Sequence, residues 1–310
     1  MAVLRFSVVV PTYNRLGSLE KCLEALAAQD LARDEYEVIV VDDGSRTPAR
    51  DLVARFSRSM QVRLIEQANA GPAAARNAGA FAAKAPCLAF TDDDCRPTAG
   101  WLRAMGAAFD QHKDAAVGGP VVSCLDNVFS TSSQLLVDFL YEYFERTDSR
   151  GRFFVTANVA LPTDLFRSMG GFDLSFPFAA AEDRDMCERW HERGHRMVYA
   201  NDAVVMHAHP LGWRTFWRQH FTYGRGAWFL SDANHRRGRE GLRVRRLEFY
   251  TSLVAFPFSH ARFPRSMALA GLAALSQVAY MSGFVWQTRH QAATRNLATA
   301  TGAVSRNTRH

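Results

Sequence analysis

The stretch CLAFTDDDCRP, residues 87–97, joins a four-residue apolar run to three consecutive carboxylates. CLAF has the length and composition of a strand buried on both faces, so the acids begin where such a strand would end. The same junction occurs twice upstream: FSVVV (6–10) runs into PTYN (11–14), and EVIVV (37–41) into DDGS (42–45). A further run of this kind is VRLI (62–65). Between them the pattern is helical: Leu19, Leu23 and Leu26 recur at helical spacing, and GPAAARNAGAFAAK (71–84) opens on Gly71 and Pro72. Strands alternating with helices predict an α/β fold, a Rossmann-like, mostly parallel sheet flanked by helices. Ligands of such sheets sit beyond the carboxyl ends of the strands, and that edge is where PTYN, DDGS and TDDD converge.

Composition places two regions side by side. Residues 1–212 carry 22 Lys and Arg against 28 Asp and Glu, whereas 213–310 carry 15 against 3, all fifteen being arginine. An acidic catalytic domain over 1–212 and a helical, arginine-rich region over 213–310 are therefore expected. The tail implies an anionic partner. Its interleaved apolar runs, such as Leu253 to Phe258, favour a membrane surface over nucleic acid. MALAGLAALSQVAYMSGFVW (267–286) has no charged residue over 20 positions, but Ser276, Gln277 and Ser282 weaken it, so an interfacial or core-packed helix is expected rather than a span. The cysteines (Cys22, Cys87, Cys95, Cys124, Cys187) are five and lack C-x-x-C spacing, which argues against a disulfide framework and a zinc site. With a start, MAVLRFSVVVP, that resembles no secretory leader, the expected location is cytoplasmic, peripheral on the inner face of the membrane.

Each polar motif has a chemical and a plain reading. In TDDD, Asp92 and Asp94 would share one side of an extended segment, and hard oxygen ligands suit Mg²⁺ or Mn²⁺; the plain alternative is a solvated acidic turn before Pro97. Asp42 and Asp43 can accept hydrogen bonds from a base edge or a ribose, or simply build a turn with Gly44 and Ser45. Arg76 lies one turn into a helix whose N-terminus favours phosphate, or it is a surface arginine on a small-residue helix. Glu182 and Asp183 open a helix, where the macrodipole favours an ionised carboxylate able to act as a base; acids are also ordinary in a first turn. His207 and His209, two apart on a strand, share a face and could complete the metal site or be structural. Arg225, between glycines in YGRGA (223–227), reads as a diphosphate contact from a flexible loop or as a plain turn.

Taken in order, VVVPTYNR, VVDDGS, NAGPAAARNAG, FTDDDCRPTAGWL, TANVALPTDLFRSMGGFD, AEDRDMCERW and VVMHAH resemble the family 2 glycosyltransferases with a GT-A fold, across roughly residues 5–230. The resemblance implies an inverting glycosyltransferase that moves a sugar from a nucleotide-diphosphate sugar, a UDP-sugar foremost, to a hydroxyl acceptor, lipid-linked or otherwise, in envelope, polysaccharide or glycolipid synthesis. It implies that Pro11, Thr12, Tyr13, Asn14, Asp43 and Arg76, with Asp42 nearby, hold the nucleotide. Asp92 and Asp94 would be a DXD-like pair on the metal, with Asp93 touching ribose or sugar. Asp183 would be the base with Glu182 beside it, and Asn158 and Gly171 would shape the sugar pocket. QHFTYGRGA lacks the tryptophan of the Q-x-x-R-W signature of processive members. A nucleotide-sugar-binding or membrane scaffold without catalysis, and a Mg²⁺ phosphohydrolase, are the competing classes.

Overall fold

The computed structural model describes residues 3–147, 153–241 and 245–307, without the side chains of 147 and 295–307; Met1, Ala2 and residues 308–310 of the tail lie outside it. The chain divides into two compact units, Met1–Pro210 and Leu211–His310.

In the first unit, β1 (Phe6–Thr12), β2 (Tyr36–Asp42), β3 (Gln61–Glu66) and β4 (Cys87–Phe90) coincide with the apolar runs, extended at most by two residues at either end. They lie in a sheet of order β3-β2-β1-β4, which continues through β8 (Val159–Pro162), β6 (Ala116–Gly118) and β9 (Met197–Tyr199). The first four strands are mutually parallel, while β8 runs antiparallel to both of its neighbours. FFVTANVAL is strand-like over its whole length by composition, yet Thr156–Asn158 form a single 3₁₀ turn and only the end of the segment joins the sheet. The Asn158 N–H donates to the Val155 carbonyl at 3.0 Å, closing that turn.

Both sheet faces are covered, which is why the strands read as continuous apolar runs and not as alternation. Val8, Val10, Val38 and Val40 point to one side, with Leu19, Cys22, Leu23 and Leu26 of α1 (Leu16–Ala27). Val9, Ile39 and Val41 point to the other, with Ala73, Ala75 and Ala80 of α3 (Pro72–Ala82). The small residues of α3 follow from its proximity to the sheet: a Cβ at Gly79 would overlap the Val9 side chain and meet Val41 Cγ2 at 3.1 Å. Burying each valine stabilises by about 1.5–3 kcal/mol, so this double packing is what holds the strand tips rigidly enough to carry chemistry.

A second, three-stranded sheet of order β5-β10-β7 joins β5 (Cys95–Pro97), β10 (Val205–His207) and β7 (Val121–Ser123). Its register pairs His207 with Cys95, directly after the acidic triplet.

The second unit is helical, with α8 (Trp213–Arg236), α9 (Leu247–Ala255), α10 (Pro257–His260) and α11 (Arg265–Asn307). Residues 223–227 are not the loop expected from their glycines; they lie inside α8. A Cβ at Gly224 would overlap the Tyr280 carbonyl, and one at Gly283 the Phe221 carbonyl, so these glycines let α8 and α11 touch backbone to backbone. Arg225 is correspondingly taken up within its own unit, donating to Gln287 Oε1 at 2.8 Å with its guanidinium 4.7 Å from the Trp286 ring centroid.

Candidate functional site

The carboxyl end of β4 does not continue extended. The Cys95 N–H donates back to the Asp92 carbonyl at 3.0 Å, so Asp93 and Asp94 sit in a turn and alternation along a strand no longer applies. Asp92 and Asp94 therefore face different partners instead of sharing one side.

Asp94 faces β10. Its Oδ1 lies 3.3 Å from His207 Nε2, its Oδ2 3.1 Å from His209 Nδ1, and its backbone carbonyl accepts the Ala208 N–H at 2.9 Å. The two imidazoles stack at 5.4 Å with an interplanar angle of 16°. One donor atom from each of Asp94, His207 and His209 lies within 4.8 Å of the others, a grouping that could hold a metal ion. Burial alone would raise the Asp94 carboxyl, but hydrogen bonds from both histidines and the charges of His207 and Arg15 outweigh it and hold it well below the usual range. For His207 burial would favour the neutral ring, and the hydrogen bond and charge of Asp94 reverse that, raising it.

Arg15, the last residue of VVVPTYNR and the one before α1, carries no assigned role in the sequence reading. It spans two acids: Nη1 is 2.7 Å from Asp94 Oδ2 and Nε is 3.3 Å from Asp93 Oδ1. Asp93 also accepts from Thr12 Oγ1 at 2.8 Å, and it is buried enough that its carboxyl is pushed up to about 7, with Arg15 opposing the shift and Asp94 adding to it. The signal for Arg15 in the sequence is its place at the end of VVVPTYNR, ahead of a helix.

Asp92 turns to α3. Arg76 Nη2 donates to Asp92 Oδ1 at 2.7 Å and Nη1 to Glu182 Oε1 at 3.0 Å, while its Nε is buried with no hydrogen-bond partner among the described residues. Glu182 and Asp183 begin α7 (Glu182–Glu192), as the acid-rich first turn predicts. Ala181 before them holds φ 73°, a left-handed conformation that costs an L-residue roughly 1–2 kcal/mol and fixes the angle at which both acids enter the site. Glu182 is pushed up to about 7, first by burial and then by Asp183, with Arg76 opposing. Asp183 is likewise raised by burial; its Oδ1 accepts the Arg184 N–H at 2.8 Å.

The remaining expected residues are distributed unevenly around this edge. Pro11 and Thr12 end β1, and Tyr13 is half-exposed. Asn14, at φ 56°, accepts the Arg46 N–H and donates its own N–H to Ser45 Oγ, both at 2.8 Å, which ties the PTYN loop to the DDGS loop. Asp42 accepts the N–H groups of Ser45 and Ala49, both at 2.9 Å, the turn-building role its neighbours allow. Asp43 accepts from Gln67 at 2.7 Å and from the N–H groups of Ala70 and Gly71 at 2.9 Å, setting the entrance to α3.

Three of the expected residues are engaged by contacts of their own. Asn158 is fully buried and points into the protein: it accepts from Trp101 Nε1 at 2.8 Å and donates to the carbonyls of Pro120 and Ala203 at 2.9 and 2.7 Å. Both of its amide N–H groups are thereby engaged inside the protein. Gly171, at φ 72°, packs on α3, where a Cβ would overlap Asn77 Oδ1, so it serves a close approach between segments. Arg225 belongs to the second unit and to its own helix pair.

A family model described as glycosyl transferase family 2 matches residues 7–170. A glycosyltransferase named AglE from Haloferax volcanii is 28% identical over 238 residues, covering 74% of this chain and 76% of that protein. The validoxylamine A glucosyltransferase of Streptomyces hygroscopicus subsp. jinggangensis is 29% identical over 64% of this chain, which spans 54% of it, and the pre-mycofactocin glycosyltransferase of Mycobacterium tuberculosis is 29% identical over 71%, which spans 46%. Among solved structures, a mannosyltransferase from Pyrobaculum calidifontis in complex with GDP-Man and Mn²⁺ superposes with a TM-score of 0.59 at 20% identity, covering 98% of this chain and 81% of that one. Residues 1–349 of S. aureus TarS in complex with UDP-GlcNAc give 0.56 at 17% identity, covering 94% and 92%. At these identities the structures establish a shared fold.

Proposed function

Because the chain belongs to glycosyl transferase family 2, we propose that it transfers a sugar from a nucleotide-diphosphate sugar to an acceptor hydroxyl in one in-line displacement that inverts the anomeric carbon. The observation that carries this reading is the meeting, at one sheet edge, of a carboxylate with two histidines and of a second carboxylate group built on Arg76, Glu182 and Asp183.

Asp183 is the base. It is less enclosed than Glu182, its Oδ1 accepts the neighbouring Arg184 N–H, and burial makes it a stronger proton acceptor than an ordinary aspartate. It takes the proton of the acceptor hydroxyl as that oxygen attacks, a role worth about 10²–10⁴ in rate. Glu182, locked onto Arg76, positions α7 and does not touch substrate. Donor relatives bind UDP-GlcNAc or GDP-Man, and a diphosphate donor fits the arginines here, with a UDP-sugar as the first candidate. Asp94, His207 and His209 would hold Mg²⁺ or Mn²⁺; one oxygen and two imidazole nitrogens suit Mn²⁺ better. When bound, such an ion supplies electrostatic neutralisation of the departing nucleoside diphosphate.

Asp183→Asn should lower turnover by at least a hundredfold while a thermal-shift titration with the donor still shows stabilisation. Turnover at the wild-type rate would remove Asp183 from the mechanism, and donor binding without any release of nucleoside diphosphate in the wild type would favour a non-catalytic binding protein. Release of inorganic phosphate independent of Asp183 would favour a phosphohydrolase.

The second unit supports docking on an anionic membrane surface, which suits a lipid-linked acceptor. The most apolar 18-residue window within Arg265–Thr294 of α11 has a mean hydropathy of 1.5, and only 33% of it is buried. Met267, Val278, Met281 and Val285 are exposed at spacings that return to one helix face. Arg262, Arg265 and Arg289 flank that face in sequence and no acid follows Glu248, so a second copy would meet like charge whereas anionic headgroups would not. Met281→Ser with Val285→Ser should reduce flotation on vesicles containing phosphatidylglycerol, and unchanged flotation would break this part of the reading.

A further inference from the structure

The ion-binding group already has a cation in it. Arg15 is anchored by its backbone, its carbonyl accepting the N–H groups of Ser18 and Leu19 at 3.0 Å, while its side chain remains 48% exposed. The guanidinium does not clamp one carboxylate with two bonds, the strong mode for arginine; it places one contact on each of two acids, at 2.7 Å on Asp94 and a long 3.3 Å on Asp93. The Asp94 oxygen it occupies, Oδ2, is the one that also meets His209 Nδ1. A divalent ion held by Asp94, His207 and His209 needs ligand distances of about 2.0–2.2 Å. Two cations then contest one carboxylate.

We infer that Arg15 is an exchangeable internal cation: it holds Asp93 and Asp94 in the ligand-free protein, yields Asp94 to the divalent ion, and turns its released guanidinium to the diphosphate of the donor. Arg15 is thus a positioning residue that makes ion and donor strengthen each other's binding. Ion alone must displace an arginine that then has no anion to meet, whereas donor alone meets an arginine still engaged. Together they give both Asp94 and the released guanidinium a counter-charge. Reciprocity of linkage requires the same factor in both directions. The inference rests on Asp94, His207 and His209 being the ion site of the proposed transferase. Arg76 cannot do this: its side chain is 4% exposed and held between two acids.

The test is Mn²⁺ binding to the full chain, followed by electron paramagnetic resonance of free Mn²⁺, first without nucleotide and then with saturating UDP or, in a parallel arm, GDP. Arg15→Met should bind Mn²⁺ roughly tenfold more tightly than wild type without nucleotide, since a positive charge within a few ångströms is gone. The tightening produced by the nucleotide should shrink correspondingly. Arg15→Lys separates occupancy from charge: an ammonium keeps the charge but cannot fork across Asp93 and Asp94, so it too should tighten Mn²⁺ binding. Unchanged or weaker Mn²⁺ binding by a folded Arg15→Met, or an Arg15→Lys that behaves as wild type, overturns the inference. His207→Ala and His209→Ala locate the failure: if they leave Mn²⁺ affinity untouched, the ion site itself is misassigned and the inference goes with it. If they weaken it while Arg15→Met does nothing, the exchange alone is overturned.

Discussion

Two arginines meet the acids of this sheet edge, and they are held in opposite ways. Arg76 is enclosed on α3, with Asp92 and Glu182 on two of its nitrogens, while Arg15 reaches in from the start of α1 with half its side chain in solvent. Burial removes water as an alternative partner, so each contact of Arg76 is obligatory, whereas each contact of Arg15 competes with hydration. The same chemical pair is therefore a fixture in one place and an exchangeable latch in the other. The charge of Arg76 shows the balance: burial disfavours it, yet Asp92 and Glu182 more than restore it and raise its affinity for the proton.

Removing the fixture should have the largest effect. Arg76→Met leaves Glu182 buried without its cation, and breaking a buried pair from one side costs about 3–5 kcal/mol. The cost should be greatest near pH 8 and shrink toward pH 5, where Glu182 takes up a proton and no longer needs a partner. Chemical denaturation of wild type and variant at both pH values measures this; equal losses at the two would mean that Glu182 is not the group left exposed to the change.

How much of this was legible in sequence divides along the same line. The strands were legible because a buried parallel strand leaves a continuous apolar run, and the α7 start because acids gather in a first helical turn. The pairing of Asp94 with two histidines is half legible: His207 and His209 stand out by spacing, but alternation along an extended triplet makes Asp92 the partner of Asp94. The hydrogen bond from Cys95 N–H to the Asp92 carbonyl turns the chain locally, which is the turn the triplet also allows, though here it is buried rather than solvated. Asn158 and Gly171 carry family expectations, and their contacts with Trp101 and Asn77 join residues too far apart in sequence to be read from it. YGRGA was misread because a glycine that permits close helix contact and a glycine that breaks a helix look alike until the facing helix is known.

A middle-sized effect follows from Glu182 itself. Its carboxyl is pushed up to about 7 in the folded protein from an ordinary 4.5, so the folded state holds a proton that the unfolded state has released across that window. Stability is then fully present below about 4.5 and falls as pH rises toward 7. Glu182→Gln should flatten that part of the pH–stability curve, read as melting temperature at half-unit steps. A variant whose curve keeps the wild-type slope would assign the bound proton to another group of the cluster, and Asp93, also pushed up to about 7, would be the next to test.

The smallest effect belongs to the latch. Arg15→Met removes two ion-pair contacts, but the side chain is half-exposed and such pairs contribute about 0–1 kcal/mol, because solvent screens them and ordering a long side chain offsets the gain. Asp94 keeps His207 and His209, and Asp93 keeps the Thr12 hydrogen bond on Oδ2, while its buried Oδ1 has no hydrogen bond to lose among the described residues. Denaturation of Arg15→Met should accordingly differ from wild type by at most about 1 kcal/mol, several times less than Arg76→Met. A loss as large as that of Arg76 would show that Arg15 is structural after all, since a residue that must leave its partners in every catalytic cycle cannot also be one on which the fold depends.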